Sequence, residues 1–336
     1  MRLIRSFFAC LILSPSASVA SQPVTVGHFA FYIDEGISLH HYLHQWARRL
    51  ELDGKIQPRL LPDLGLDPHE TPAELDEIEQ RTWTAAINHY RENFTGQNLV
   101  FSERNNKLLD RIRAGDLKSI GSRDPDLHLL QSVAAIYHDY WWPEHRATIE
   151  KYMAKLVPLI REHDTCIANG LARAYGAPLP DDQQTRVDLA FVANWTGAYT
   201  TGDPVVIHLA ASDPDLQGLL GLELMYHEVS HSTWTEPALT ELVERAFASI
   251  DETTPRRFWH VVIFNTTGSL TQQCLAEARI EYHRRYAELT GLASRDGWRE
   301  VWQVLETHWV PFLAGEGDGR EAAMRAAASA FQDAAQ

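Results

Sequence analysis

The segment from Leu219 to Ser232 constrains this chain more than any other. Leu219, Leu220, Leu222, Leu224, Met225, Tyr226 and Val229 make it apolar on most sides, the mark of a helix buried all round. Yet it carries His227, Glu228 and His231. Ionisable groups in a buried helix need partners, because desolvating them alone is costly. Histidines four residues apart stand on one helix face about one turn apart. Two imidazoles so placed can bind one Zn²⁺. Glu228 follows His227 directly, so it lies beside the ligand stripe rather than on it. From there a carboxylate can take the proton of a metal-activated water as that water attacks a carbonyl. The plainer alternative is a pair of core histidines bonded to protein groups.

The surrounding chain reads as α+β and predominantly α-helical. Amphipathic or well-capped helices are expected at 39–50, with Leu39, Leu43, Trp46 and Leu50 on one stripe, and at 103–114, 125–140 and 143–174. Thr71-Pro72-Ala73-Glu74 has the form of a helix start. The period changes near residue 186. Segments 186–193, 197–202 and 204–210 read as short strands of a small sheet. A helix then begins after Asp213-Pro214 and runs through His231. Helices dominate the remainder. The chain divides into a leader at 1–20, a mostly helical region at 21–180 and a metal-binding region at 181–336. The last two are read as one continuous globular unit.

A strand-rich stretch followed by a His227-Glu228-Val229-Ser230-His231 helix resembles the zincin metallopeptidases, in particular their gluzincin-like branch. The wider layout, including Leu39-His40-His41-Tyr42-Leu43-His44-Gln45-Trp46-Ala47 and Tyr140-Trp141-Trp142-Pro143, also resembles a group of uncharacterised exported bacterial proteins. The zincin resemblance implies His227 and His231 as zinc ligands and Glu228 as the base. It implies a zinc-dependent hydrolase, most simply a metallopeptidase acting on a peptide or protein substrate. It also implies a strand edge near the metal that pairs with extended substrate backbone. The competing function is a non-catalytic exported protein that keeps the metal for stability or partner binding. The metzincin glycine and histidine do not follow Ser232-Thr233-Trp234, and no local motif matches the gluzincin glutamate.

The third ligand is therefore sought downstream. Three protein ligands plus water is the usual open zinc site. Asp251 and Glu252 lie in a polar turn, and Glu277 and Glu281 stand among arginines. His260 stands between Phe258-Trp259 and Val261-Val262-Ile263-Phe264, in a helix expected to start at Pro255. An imidazole in so apolar a segment needs a partner, and His260 is assigned as the third ligand. Asn265, Thr266 and Asp251 are candidates for orienting the imidazoles. Tyr199, Tyr226, His283 and His308 are candidates for stabilising an oxyanion. His40 and His41 are read as rim residues of a helix or as lining the cleft.

Arg2 and Arg5, the apolar run from Phe7 to Leu13 and Ser18-Val19-Ala20 form a secretory leader, with Ser21 as the expected mature start and a periplasmic or secreted location. No later segment has the run of apolar residues a membrane span needs. A net charge of −15 argues against nucleic acid and anionic membrane as principal partners. Cys166 and Cys274 either pair in an oxidising compartment or stay buried as thiols.

Overall fold

The computed structural model describes residues 22–51, 75–119, 123–180, 183–194, 197–233 and 235–335. The expected leader and the Thr71-Pro72-Ala73-Glu74 motif lie outside these. Among the described residues the fold is α+β, with eleven α-helices and one five-stranded sheet. In chain order the elements are β1 (Val24–Val26), β2 (Phe29–Ile33), α1 (Glu35–Glu51), α2 (Glu77–Asn93), α3 (Glu103–Arg113), α4 (Pro125–Tyr140) and α5 (Trp142–Tyr175). There follow β3 (Thr185–Ala190), β4 (Ala198–Thr201), β5 (Val206–Ala210), α6 (Leu219–Val229), α7 (Glu236–Ala248) and α8 (Phe258–Glu277). A single turn, α9 (Tyr286–Leu289), then α10 (Arg299–Leu313) and α11 (Arg320–Ala335) complete the chain.

The sheet order is β1-β2-β3-β5-β4. The three inner strands are parallel, and both edge strands run antiparallel to their neighbours. The sheet draws two strands from the N-terminal region that periodicity did not single out, so it joins chain on both sides of residue 180. Side chains alternate between faces. The register sets Tyr32, Asp188, His208 and Tyr199 in one cross-strand row, and Phe31, Val187, Ile207 and Thr200 in the adjacent row on the opposite face. The first face is covered by α1 and α3, the second by α5 and α6.

Helix starts follow local chemistry. Asp76 caps α2 through the N–H groups of Ile78 and Glu79, with Glu79 reaching back to Asp76. Asp124 caps α4, with Pro125 in its first turn. Leu39, Leu43 and Trp46 of the expected stripe are buried, and Trp141 stacks on Trp83 at 4.3 Å in the core.

The 34-residue α5, about 51 Å long, is the scaffold for the C-terminal half. A disulfide joins its Cys166 to Cys274 of α8, with the Cα atoms 5.9 Å apart. Tyr226 of α6 donates to Asp164 of α5 at 2.8 Å. Where α8 passes α6, a side chain on Gly268 would begin 2.9 Å from a carboxylate oxygen of Glu223, so the glycine permits the close crossing.

Candidate metal centre

The apolar helix is where its composition places it. Every residue of α6 from Gly221 to Val229 is buried. It is shorter than the sequence reading: a separate 3-10 turn spans Pro214–Leu216, and α6 covers only Leu219–Val229. His231 stands just beyond the helix end. Ser230 keeps right-handed helical dihedrals and the His231 N–H bonds to Glu228 O at 3.1 Å, so the turn continues far enough to keep both histidines on one side. The Ser230 hydroxyl bonds to Tyr226 O at 2.7 Å and is met by the Tyr175 hydroxyl at 3.3 Å, tying this last turn to α5.

His260 comes from α8, which begins at Phe258, three residues later than Pro255 suggested. It joins the other two. The ring centres of His227, His231 and His260 form a near-equilateral triangle with sides of 5.0, 5.3 and 5.2 Å. His227 Nε2 and His231 Nε2 are 3.3 Å apart, and one nitrogen from each of the three rings lies within 4.8 Å of the others. An ion about 2.05 Å from each ligand nitrogen at tetrahedral angles puts those nitrogens about 3.3 Å apart and the ring centres about 5 Å apart. The histidines fit such an ion, with a small inward shift for the wider nitrogen separations. Among the described residues they are the one group of three or more donors close enough to share an ion.

The surroundings of His227 and His260 favour neutral rings, the form that binds metal. Burial, then the neighbouring His231 and His260, hold His227 well below the usual histidine range. Burial, then His231 and Arg257, lower His260 to about 3. Phe264 stacks on His227 at 3.7 Å, Trp259 meets His231 edge-on at 5.7 Å, and Trp298 meets His260 at 5.6 Å. His231 stays partly open to solvent, so the cluster is reachable from one side. Among the described residues, His227 Nδ1 is buried without a hydrogen-bond partner.

Glu228 lies beside the triangle, buried, and its carboxylate accepts a 2.5 Å hydrogen bond from Thr200 of β4. Burial raises its pKa, opposed by His231 and by this bond. Thr200 was read only as part of a strand. Its role follows from register, because Tyr199 and Thr200 face opposite sides. Ala210 N–H bonds to Gly197 O at 2.8 Å, and Tyr199 and Thr201 lie opposite His208 and Val206 in the same hydrogen-bonded phase. The backbone groups of Thr200 therefore point away from β5, toward the sheet edge beside Glu228.

Several assignments need correction. Asn265 bonds Glu306 and Thr266 accepts from Trp309, while Asp251 lies in an exposed turn, so none orients an imidazole. That role falls to Glu236, whose carboxylate is 3.0 Å from His231 Nδ1. Tyr199 points to the other face, where its hydroxyl meets His41 Nε2 at 2.8 Å. Tyr226 is engaged with Asp164. His283 is exposed beside Glu281, and His308 borders a hollow between α10 and α11. His40 and His41 are fully buried, not at a rim: His40 sits between the Tyr90 hydroxyl and Asn105, and His41 also bonds Ile37 O.

Glu223 is a further residue the motif concealed. It lies one turn before His227, fully buried, and accepts from the Tyr282 hydroxyl at 2.5 Å and Tyr286 N at 3.0 Å. Burial pushes its pKa up to about 7 against those bonds. A charge-capable side chain set among Leu219, Leu220, Leu222 and Leu224 was a legible signal. Through Glu223 the α9 turn is held on α6, and Tyr286 stacks on Phe264, the ring that covers His227. Comparison of this chain with protein-family models, curated proteins and solved structures finds no match.

Proposed function

We propose that this protein is an exported zinc-dependent hydrolase that cleaves peptide or related amide bonds. The observation that carries the reading is the triangle of three histidines with a buried carboxylate beside it. A structural zinc site has four protein ligands and no open position. Here three histidines form the donor group among the described residues, and Glu236 is engaged with a ligand's outer nitrogen. A bound Zn²⁺ would supply Lewis acidity toward a carbonyl and a water of lowered pKa.

The chain's own residues supply the rest. Glu228 is placed to hold the proton lost by the attacking water and return it to the leaving amine. Thr200 fixes the carboxylate's orientation. The outward backbone groups of Thr200 suit pairing with an extended peptide, which gives affinity with little side-chain selectivity. The disulfide supports an oxidising compartment, in keeping with the leader.

The test is Glu228→Gln in zinc-loaded protein, with metal content and cleavage of a mixed peptide pool measured together. Zinc content near wild type with hydrolysis reduced by about 10² or more is expected. Loss of zinc would make Glu228 a ligand. Zinc retention by a wild type that cleaves no peptide would reduce the site to metal binding.

A further inference from the structure

Two of the candidate ligands are held in place by different means. A metal-binding imidazole ordinarily donates its second ring N–H to a carboxylate or carbonyl, which fixes the orientation of the ring. His231 follows this pattern, with Glu236 3.0 Å from its Nδ1. His227 does not. Its Nε2 lies 3.3 Å from His231 Nε2, on the side an ion would take, while its buried Nδ1 has no hydrogen-bond partner among the described residues. The His227 ring is instead covered by Phe264, stacked on it at 3.7 Å with the planes 28° apart. Phe264 stands one turn beyond His260 on α8, with the two ring centres 5.2 Å apart. One phenyl ring therefore borders two of the three ligands.

Phe264 is itself backed. The Tyr286 ring lies within 9° of parallel to it, with ring centres 6.1 Å apart, in the range of offset stacking. The segment that carries Tyr286 is pinned to both helices of the site. On α6, Glu223 accepts from the Tyr282 hydroxyl at 2.5 Å and from Tyr286 N–H at 3.0 Å. On α8, Gln272 Nε2 donates to Tyr282 O at 2.7 Å and Arg285 Nη1 donates to Ser269 Oγ at 2.8 Å. Glu223 is fully buried, so leaving its carboxylate without these donors would be costly, and that cost holds the segment in one place. The contacts close a circuit. It leaves α6 at Glu223, passes through Tyr286 and Phe264, and returns to α6 at His227, four residues after Glu223.

We infer that Phe264, backed by Tyr286 and Glu223, positions the His227 ring for the metal in place of a hydrogen bond like that between His231 and Glu236. The inference rests on the metal centre of the proposed hydrolase and not on its substrate. A flat ring packed on the imidazole face resists the tilt that would swing Nε2 away from the ion. A branched aliphatic side chain of similar volume fills the space but offers no plane. Phe264 and Tyr286 are positioning residues, since neither supplies a ligand atom. Tyr286 reaches His227 only through Phe264, so its influence should vanish when the Phe264 ring is gone.

The test measures zinc affinity, by competition with a chromophoric chelator, beside the urea midpoint of the metal-free protein. Phe264→Leu should weaken zinc binding about tenfold, the low end for loss of an orienting partner. Phe264→Tyr keeps the ring and should restore most of the affinity. Tyr286→Leu should weaken binding about threefold, a fraction of the same effect, and Tyr286→Phe should not. The double variant Phe264→Leu/Tyr286→Leu should bind zinc no more weakly than Phe264→Leu alone, because the second ring acts through the first. A merely structural role would lower affinity in step with the urea midpoint, and the two losses would add. If Phe264→Leu does not fold, the two Tyr286 variants decide. Wild-type affinity in Phe264→Leu, a Phe264→Tyr protein as weak as Phe264→Leu, or additive losses in the double variant overturns the inference. A wild type that takes up no zinc overturns it together with the metal centre. The expected losses in a protein whose wild type cleaves no peptide keep the positioning role and reject the hydrolase.

Discussion

Removing the Glu236 carboxylate should loosen the metal without dismantling its ligands. Glu236 stands five residues beyond His231, in the first turn of α7, and its carboxylate meets His231 Nδ1 at 3.0 Å. A carboxylate at the outer nitrogen fixes the ring's tautomer, leaves Nε2 free for the ion and raises its basicity. Loss of such a partner typically costs 10–100-fold in metal affinity. The two side chains are 35% and 19% exposed, so solvent screens the pair and the low end applies. Glu236→Ala should weaken zinc binding about tenfold, roughly 1.4 kcal/mol. Glu236→Gln, which can still accept from Nδ1–H, should weaken it less. Competition with a chromophoric chelator at pH 7.5 measures both. If Glu236→Ala binds zinc as tightly as wild type, the carboxylate does not orient His231. If it binds as weakly as His231→Ala, Glu236 is itself a ligand.

His260→Ala should lose zinc to the same extent as His231→Ala while keeping the wild-type circular dichroism spectrum; unchanged affinity would remove α8 from the site. The Cys166–Cys274 bond closes a loop of 108 residues in sequence separation. The loop-entropy relation gives about 4–5 kcal/mol for such a span. The double Cys→Ala protein should therefore unfold at clearly lower urea, and equal midpoints would reject the cross-link. Glu223 sets a pH dependence. Its folded pKa of about 7 exceeds the ordinary 4.5. Its contribution to stability is therefore fully present below 4.5 and is lost as pH rises through 7. Wild type should lose stability between pH 4.5 and 7.5 relative to Glu223→Gln in urea titrations. Parallel curves would show that the group does not titrate in this range.

What the sequence determined by itself was chemistry that needs only local order. The four-residue spacing of His227 and His231, and Glu228 beside them, follow from helical geometry. His260 was legible because an imidazole in an apolar stretch has few alternatives to a partner. Helices such as α4 were legible because caps and first-turn prolines act within a few residues. What only the tertiary structure decided depends on long-range contacts. β1 and β2 are short, and β2 pairs with a strand more than 150 residues away. No local signal distinguishes His40 and His41, locked in a buried network with Tyr90, Asn105 and Tyr199, from cleft residues. Thr200 meets Glu228 because the sheet register turns it, and not Tyr199, toward α6. The pairing of Cys166 with Cys274 needed α5 and α8 to lie side by side, which packing settles and spacing along the chain does not.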